Sequence, residues 1–175
     1  MAGSTEKVIR LAGDSGVVIG IDPGSQRMGW GVVREKSGVL EFLACGVIRP
    51  GVKDFSARLG IIFKELRGVL RQYQPDEAAI ENVFTQKNAL TALKLGQARG
   101  IAVGACASLD ILVADYEPAL IKKTLTGNGR AEKSQVSFMV ARMLGMKESW
   151  GEDAGDALAT AICHLNIRRL NRFLC

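Results

Sequence analysis

Residues 17–48 read VVIGIDPGSQRMGWGVVREKSGVLEFLACGVI. Three runs rich in Val, Ile and aromatic residues stand out: Val17–Asp22, Met28–Arg34 and Val39–Ile48. A Pro-Gly turn follows the first, and Glu35-Lys36-Ser37-Gly38 separates the second from the third. Such runs read as strands, and links this short imply antiparallel pairing. The period then changes. Leu59, Ile62, Phe63, Leu66, Val69 and Leu70 recur at helical spacing across Asp54–Gln74, and Pro75 follows as a stop signal. Glu77–Glu81 reads as a short strand, Asn88–Leu109 as a long helix and Ile111–Tyr116 as a further strand. Pro118 opens another helix, and Glu132–Leu144 and Asp153–Leu170 supply the last two. An antiparallel start followed by alternating helices and strands defines an α/β chain. The expected architecture is a mixed five-stranded sheet with helices on both faces. The expected division is a loose N-terminal tail (1–16), one domain (17–166) and a basic C-terminal tail (167–175). Arg168, Arg169 and Arg172 of that last tail would hold DNA or merely keep the C-terminus soluble.

Apolar residues make up 47% of the 175, which places the chain among globular domains. Lys and Arg number 23 against 18 Asp and Glu, and this basic excess suits a polyanionic partner without requiring one. Cys45, Cys106, Cys163 and Cys175 show no CxxC spacing, and His164 stands alone, which argues against a zinc site. Scattered cysteines of this kind read as reduced thiols in a cytoplasmic protein. Met1–Gly16 lacks an apolar signal core, and no run is long and apolar enough to predict a membrane span. There is no GxSxG, no Ser-His-Asp order and no GxxxxGK[ST] loop.

What remains is an unusual placement of acids. Asp22 closes the first strand, Glu81 closes the short strand, and Asp153 and Asp156 open the last helix. Each has an ordinary explanation. Asp-Pro-Gly is a common turn, a strand-end Glu can be solvated, and acids in a first helical turn complement the helix dipole. The joint pattern says more. Asp153 and Asp156 share one helix face, and sites in open α/β sheets lie beyond the carboxyl ends of strands. Carboxylates gathered there would repel one another unless a hard cation neutralised them. Two such ions can stabilise the attacking and leaving oxygens of a phosphoryl displacement without a nucleophilic side chain.

Five stretches, IGIDPGS (19–25), IENVF (80–84), KNALTALKLGQARG (87–100), GNGRAEKSQV (127–136) and DAGDALATAICH (153–164), resemble the RuvC family of bacterial Holliday-junction resolvases. The likeness runs from about Val17 to Asn166. It implies an RNase H-like (retroviral-integrase-like) fold, with Asp22, Glu81, Asp153 and Asp156 as catalytic metal ligands. Some relatives carry His at the last position, where this chain has Asp. The resemblance further implies Mg2+, two ions per site with Mn2+ able to substitute. It implies a homodimer that nicks two opposed strands of a four-way DNA junction, leaving 5′-phosphate and 3′-hydroxyl ends, and partnership with the RuvA–RuvB branch-migration complex.

Other residues follow from the same likeness. Lys122 and Lys133 fall where the family keeps basic residues near the catalytic centre; base rates alone would leave them as solvated lysines. Phe84, by default a core residue, falls where the family carries an aromatic that can stack on an unpaired base. Lys87, Lys94, Arg99, Lys123 and Arg130 are further candidates for DNA contact. Gly96, Gly100 and Gly104 mark one stripe of a helix, where each costs about 1 kcal/mol relative to alanine. Close approach of the sheet or of a second subunit would explain them. His164 reads as a packed or capping residue. Competing readings are an actin-like ATPase or sugar kinase, which also opens with Asp-x-Gly, a non-catalytic DNA-binding module, and an RNA-processing nuclease on the same fold.

Overall fold

The computed structural model describes residues 15–82 and 88–174, the last three as backbone only. In chain order the elements are β1 (Ser15–Asp22), β2 (Met28–Lys36), β3 (Val39–Ile48), α1 (Phe55–Tyr73), β4 (Glu77–Glu81), α2 (Ala89–Ala107), β5 (Leu112–Tyr116), α3 (Pro118–Thr126), α4 (Lys133–Met143) and α5 (Glu152–Leu174). One five-stranded sheet runs in the order β3-β2-β1-β4-β5. β1 pairs antiparallel with β2, and β2 with β3, while β4 and β5 add in parallel on the other side of β1. The turn between β2 and β3 is Ser37-Gly38, with φ of 50° and 82°. Two positive φ values give the twist that a two-residue hairpin needs.

Period-two alternation sends side chains to two cores. Ile19, Ile21, Val32, Ala78 and Ile80 pack with α1 and α2. Val18, Val33, Ala79 and Tyr116 pack with α3, α4 and α5. The sheet is therefore covered on both faces, as expected. Asp54 caps α1, accepting a hydrogen bond from the Ala57 N–H at 2.7 Å, and Asn88 caps α2 from just before its first turn.

The seat of α5 is the tightest contact in the fold. Gly20 and Gly31 are direct partners across β1 and β2, and Gly29 is the partner of Asp22. A Cβ on Gly20 would overlap the backbone of Ala157 and Ala161, and one on Gly29 would overlap the carbonyl of Asp153. The helix presents Ala154, Ala157 and Ala161 to this seat, all buried. Backbone therefore rests on backbone.

Both expected tails are corrected here. Ser15 and Gly16 already belong to β1, paired with Lys36 and Glu35. Residues 167–174 continue α5 as its last turns rather than forming a tail. Arg168 and Arg169 turn back onto the carboxylates of Glu77 and Glu35, with N–O distances of 2.9 and 2.8 Å, because acids withdrawn from water, Glu35 fully and Glu77 partly, need cationic partners. These two arginines hold the helix end to the sheet.

Gly20→Ala should destabilise the protein by about 3 kcal/mol or more, since backbone cannot move aside as a side chain can. Gly60→Ala, on α1 with open space around its Cβ, should instead stabilise by about 0.5–1 kcal/mol. Urea unfolding of the two variants checks both signs.

Candidate active site

Ile21 and Ile80 are partners in the parallel pair β1/β4, so the next residues, Asp22 and Glu81, lie side by side at the strands' carboxyl ends. Asp22 shares its face of β1 with Val18 and Gly20, and Glu81 shares its face of β4 with Glu77 and Ala79, by the same alternation. That face is the one α5 covers. The glycine seat brings the first turn of α5 down onto the strand ends. The result is a cleft of about 340 Å³ lined by Asp22, Glu81, Asp153 and Asp156, with Lys122 from α3 and Lys133 from α4. Pro118, Ile121 and Val136 form its apolar wall. Larger hollows of about 390 Å³ against Phe138 and Met139 and about 560 Å³ beside β3 gather no such acids, while one of about 410 Å³ adjoins the cleft, sharing Lys133 and Asp156 and adding Glu148 and Glu152. The convergence of charge, not volume, marks the site.

Its electrostatics are unbalanced. Burial, then the neighbouring carboxylates of Glu81, Asp156 and Asp153, push the Asp22 carboxyl up to about 8. Burial and the charge of Asp156 also raise Glu81. The Lys133 ammonium donates to Asp156 Oδ2 at 3.2 Å and also to the Glu152 carboxylate. Its hydrogen bond to Glu152 and the charge of Asp156 raise the pKa of Lys133, while Glu152 is lowered by that same bond. Lys133 begins α4, where the Gln135 side chain accepts from the Glu132 N–H at 2.9 Å and fixes the helix start. Glu152 escaped the sequence reading: an acid just before Asp153 looks like one more dipole-complementing residue.

The donor set is all oxygen, which suits a hard divalent cation. Among the described residues no three His, Cys, Asp or Glu side chains stand close enough together to ligate one metal ion directly. An open set of acids that repel one another still fits magnesium, which keeps several of its own waters. Asp22, Glu81, Asp153 and Asp156 are the residues that would hold it.

The other predicted residues separate into groups. Lys122 and Lys133 line the cleft. Lys123 and Arg130 are exposed, on α3 and on the connection to α4. Arg99 is ion-paired to Asp115 at 2.5 Å, and Lys94 stands 5.9 Å from the centre of the Phe55 ring. Phe84 and Lys87 lie outside the described residues. Among the described residues a Cβ added at Gly96, Gly100 or Gly104 would meet nothing within 4 Å, so the sheet does not explain the stripe. His164 is buried in mid-helix, bonded to Tyr116 and Glu77; it is packed, not capping.

A mixed sheet of this order, with acids at the ends of two adjoining strands and at the start of the helix across them, defines an RNase H-like nuclease. Residues 18–164 match the family described as crossover junction endodeoxyribonuclease RuvC. A RuvC of that description from Oleidesulfovibrio alaskensis is 63% identical over 155 residues, covering 89% of this chain and 93% of its own. One from Nitratidesulfovibrio vulgaris is 59% identical over the same shares. The structure of Thermus thermophilus RuvC in complex with a Holliday junction substrate superposes with a TM-score of 0.84 at 33% identity, covering 89% of this chain and 96% of that one. The chain belongs to the RuvC family.

With Asp22 raised from 3.8 to about 8, the folded protein keeps a proton that the unfolded chain loses near pH 4. Metal-free stability should therefore fall as pH rises from about 4 to about 8 and level off above. Asp22→Asn should flatten the limb between pH 6 and 8. At pH 8 it should leave the metal-free protein more stable than wild type by at least about 1 kcal/mol. Thermal melting in EDTA across this range checks the slope and its loss.

Proposed function

We propose that this protein resolves four-way DNA junctions by metal-dependent hydrolysis, each subunit of a homodimer nicking one of two opposed strands and leaving 5′-phosphate and 3′-hydroxyl ends. The carrying observation is the gathering of Asp22, Glu81, Asp153 and Asp156 in one cleft with Lys122 and Lys133. Magnesium is the proposed ion, two per site, with manganese as a substitute. Bound ions would supply Lewis-acid stabilisation of the phosphate and a lowered pKa for the attacking water. The chain's own part is to position and neutralise. Lys133 holds Asp156 in place and leaves a positive charge at the cleft rim, and Lys122 offers a second charge to the scissile phosphate. Pro118, Ile121 and Val136 keep bulk water from one side of the reacting group. No side-chain nucleophile is required.

Binding of the arms is assigned to Lys87, Lys94, Lys123 and Arg130, with Phe84 stacking on a base exposed at the crossover. Arg99 has the weakest case, because Asp115 already holds its guanidinium. The dimer is assigned to the outer face of α2, where Leu90 and Leu93 are exposed beside Gly96 and Gly100. Twofold symmetry then presents two identical sites to a pseudo-symmetric junction. RuvA and RuvB are the proposed partners in the cytoplasm; among the described residues no helix is long and apolar enough to cross a membrane.

The direct test is a labelled synthetic junction with magnesium, on which two symmetric nicks are expected. A duplex and an RNA–DNA hybrid should remain intact, and cleavage of the hybrid instead would favour an RNA-processing nuclease. Asp156→Asn should keep junction binding and lower the nicking rate by at least about 1,000-fold, the scale of losing a key electrostatic group. Calcium should support binding without cleavage, since its looser coordination misplaces the water. Gly100→Leu should give a monomer by sedimentation and uncouple the two nicks; a dimer that still cuts both strands would move the interface elsewhere.

A further inference from the structure

Among the described residues the buried polar side chains are Glu35, Thr160 and His164. None of them belongs to the cleft, and buried polar groups in an apolar core need a reason. The Thr160 hydroxyl donates back to the Asp156 carbonyl at 2.9 Å, within its own helix. His164 is held at both nitrogens. Its Nε2 lies 2.5 Å from Glu77 Oε2 and its Nδ1 lies 2.8 Å from the Tyr116 hydroxyl. A carboxylate accepts only, so Nε2 donates to Glu77, and the Tyr116 hydroxyl, able to donate or accept, pairs with Nδ1. Arg168 Nη1 donates to the other oxygen of Glu77 at 2.9 Å. The hydrogen bond from His164, with help from Arg168, lowers the Glu77 carboxyl below its ordinary value despite its partial burial.

Position explains why this cluster matters. Asp156, Thr160, His164 and Arg168 recur every fourth residue and form one stripe along α5. Glu77, Ala79 and Glu81 share the face of β4 beneath it. Eight residues of helix span about 12 Å, and four residues of strand span about 13 Å. With Asp156 near Glu81, His164 therefore stands over Glu77. The two ends of this match have opposite character. Asp156 and Glu81 repel, while His164 and Arg168 attract Glu77.

We propose that His164, bonded to Glu77 and Tyr116, is a positioning residue for the reaction: it anchors α5 on β4 at the far end, so that Asp153 and Asp156 keep the spacing from Asp22 and Glu81 that a divalent cation needs. The anchor opposes the drift that acid–acid repulsion would drive along the helix axis. Glycine contacts set the height of α5 above the sheet but do little to stop sliding along it, because they offer no directional bond. This role rests on the metal-nuclease reading of the cleft.

The test uses His164→Phe, which keeps a ring without the bonds, and His164→Gln, which keeps an N–H donor for Glu77. Calorimetric titration with magnesium chloride in the absence of DNA reads the site without turnover. His164→Phe should weaken magnesium binding about tenfold and slow junction nicking about 10- to 100-fold. Junction affinity in EDTA should be unchanged, and His164→Gln should recover most of both losses. A merely structural histidine would lower the melting temperature of His164→Phe yet leave magnesium affinity and nicking at wild-type values below it; that result overturns the proposal. If His164→Phe does not fold, Tyr116→Phe carries the test. It removes one hydroxyl and should weaken magnesium binding in the same direction, and wild-type affinity and rate there overturn the proposal equally. A wild-type protein that neither binds magnesium nor nicks the junction would instead overturn the nuclease reading, a separate outcome.

Discussion

Backbone contact between α5 and the first two strands is the constraint on which the rest of the molecule depends. Gly20 and Gly31 face each other across the β1/β2 pair, and Gly29 stands opposite Asp22. At Gly20 and Gly29 main-chain atoms of α5 rest directly on the strands, while Gly31 makes room for the Leu158 side chain, and these contacts set the height of the helix. Close-packed atoms have almost no slack. A helix resting on valines or leucines would sit higher and could adjust through their rotamers. Here Asp153 and Asp156 are brought to a height over Asp22 and Glu81 that no rotamer change can relax. Leu158, Ile162 and Leu165, fully buried on the same helix, supply the apolar area that holds it down.

That geometry is costly where it is useful. The acids at the strand ends are partly buried and brought together with too little positive charge to balance them; burial first, and then the neighbouring carboxylates, drive the Asp22 carboxyl up to about 8. Lys133 is a partial remedy. It divides itself between Asp156 and Glu152 and is well exposed, so solvent screens much of what it contributes. The stabilising cores lie on the two faces of the sheet, and the cleft at its edge draws on them. Functional sites commonly carry such local instability. A divalent cation removes it by supplying the charge that the side chains lack.

Much of this was legible in the sequence because it is written in local chemistry. Val-Ile runs, a Pro-Gly turn and Ser37-Gly38 specify the hairpin strands, and the helical period of Leu59 to Leu70 specifies α1. Asp22 and Glu81 are visible because a charge ends an apolar run. Asp153 and Asp156 are less so, since a helix dipole would select the same residues. What stayed hidden depends on atoms distant along the chain. A glycine in a strand only lowers β propensity, and nothing near Gly20 reveals that Ala157 will press on it. Arg168 and Arg169 follow the last recognisable motif and look like a free basic tail. Their partners, Glu77 and Glu35, lie about half the chain or more away. The ion pair of Arg99 with Asp115 is likewise invisible in the sequence, because it joins a helix to the strand that follows it.

The site is thus divided between two bodies. Asp22 and Glu81 belong to the sheet, held by ladder bonds on both sides of β1 and β4. Asp153 and Asp156 belong to α5, and each body is stiff in itself. The soft coordinate is the position of one relative to the other, and it has two components. Approach is limited by the glycine seat. Sliding along the helix axis is limited by directional polar bonds at the opposite end, where Glu77 and Glu35 receive His164, Arg168 and Arg169. Apolar packing alone resists sliding weakly, because burial is non-directional. A fold that must hold like charges in register therefore has reason to spend its few buried polar contacts at the end away from those charges, where the lever is long and no ligand competes for them.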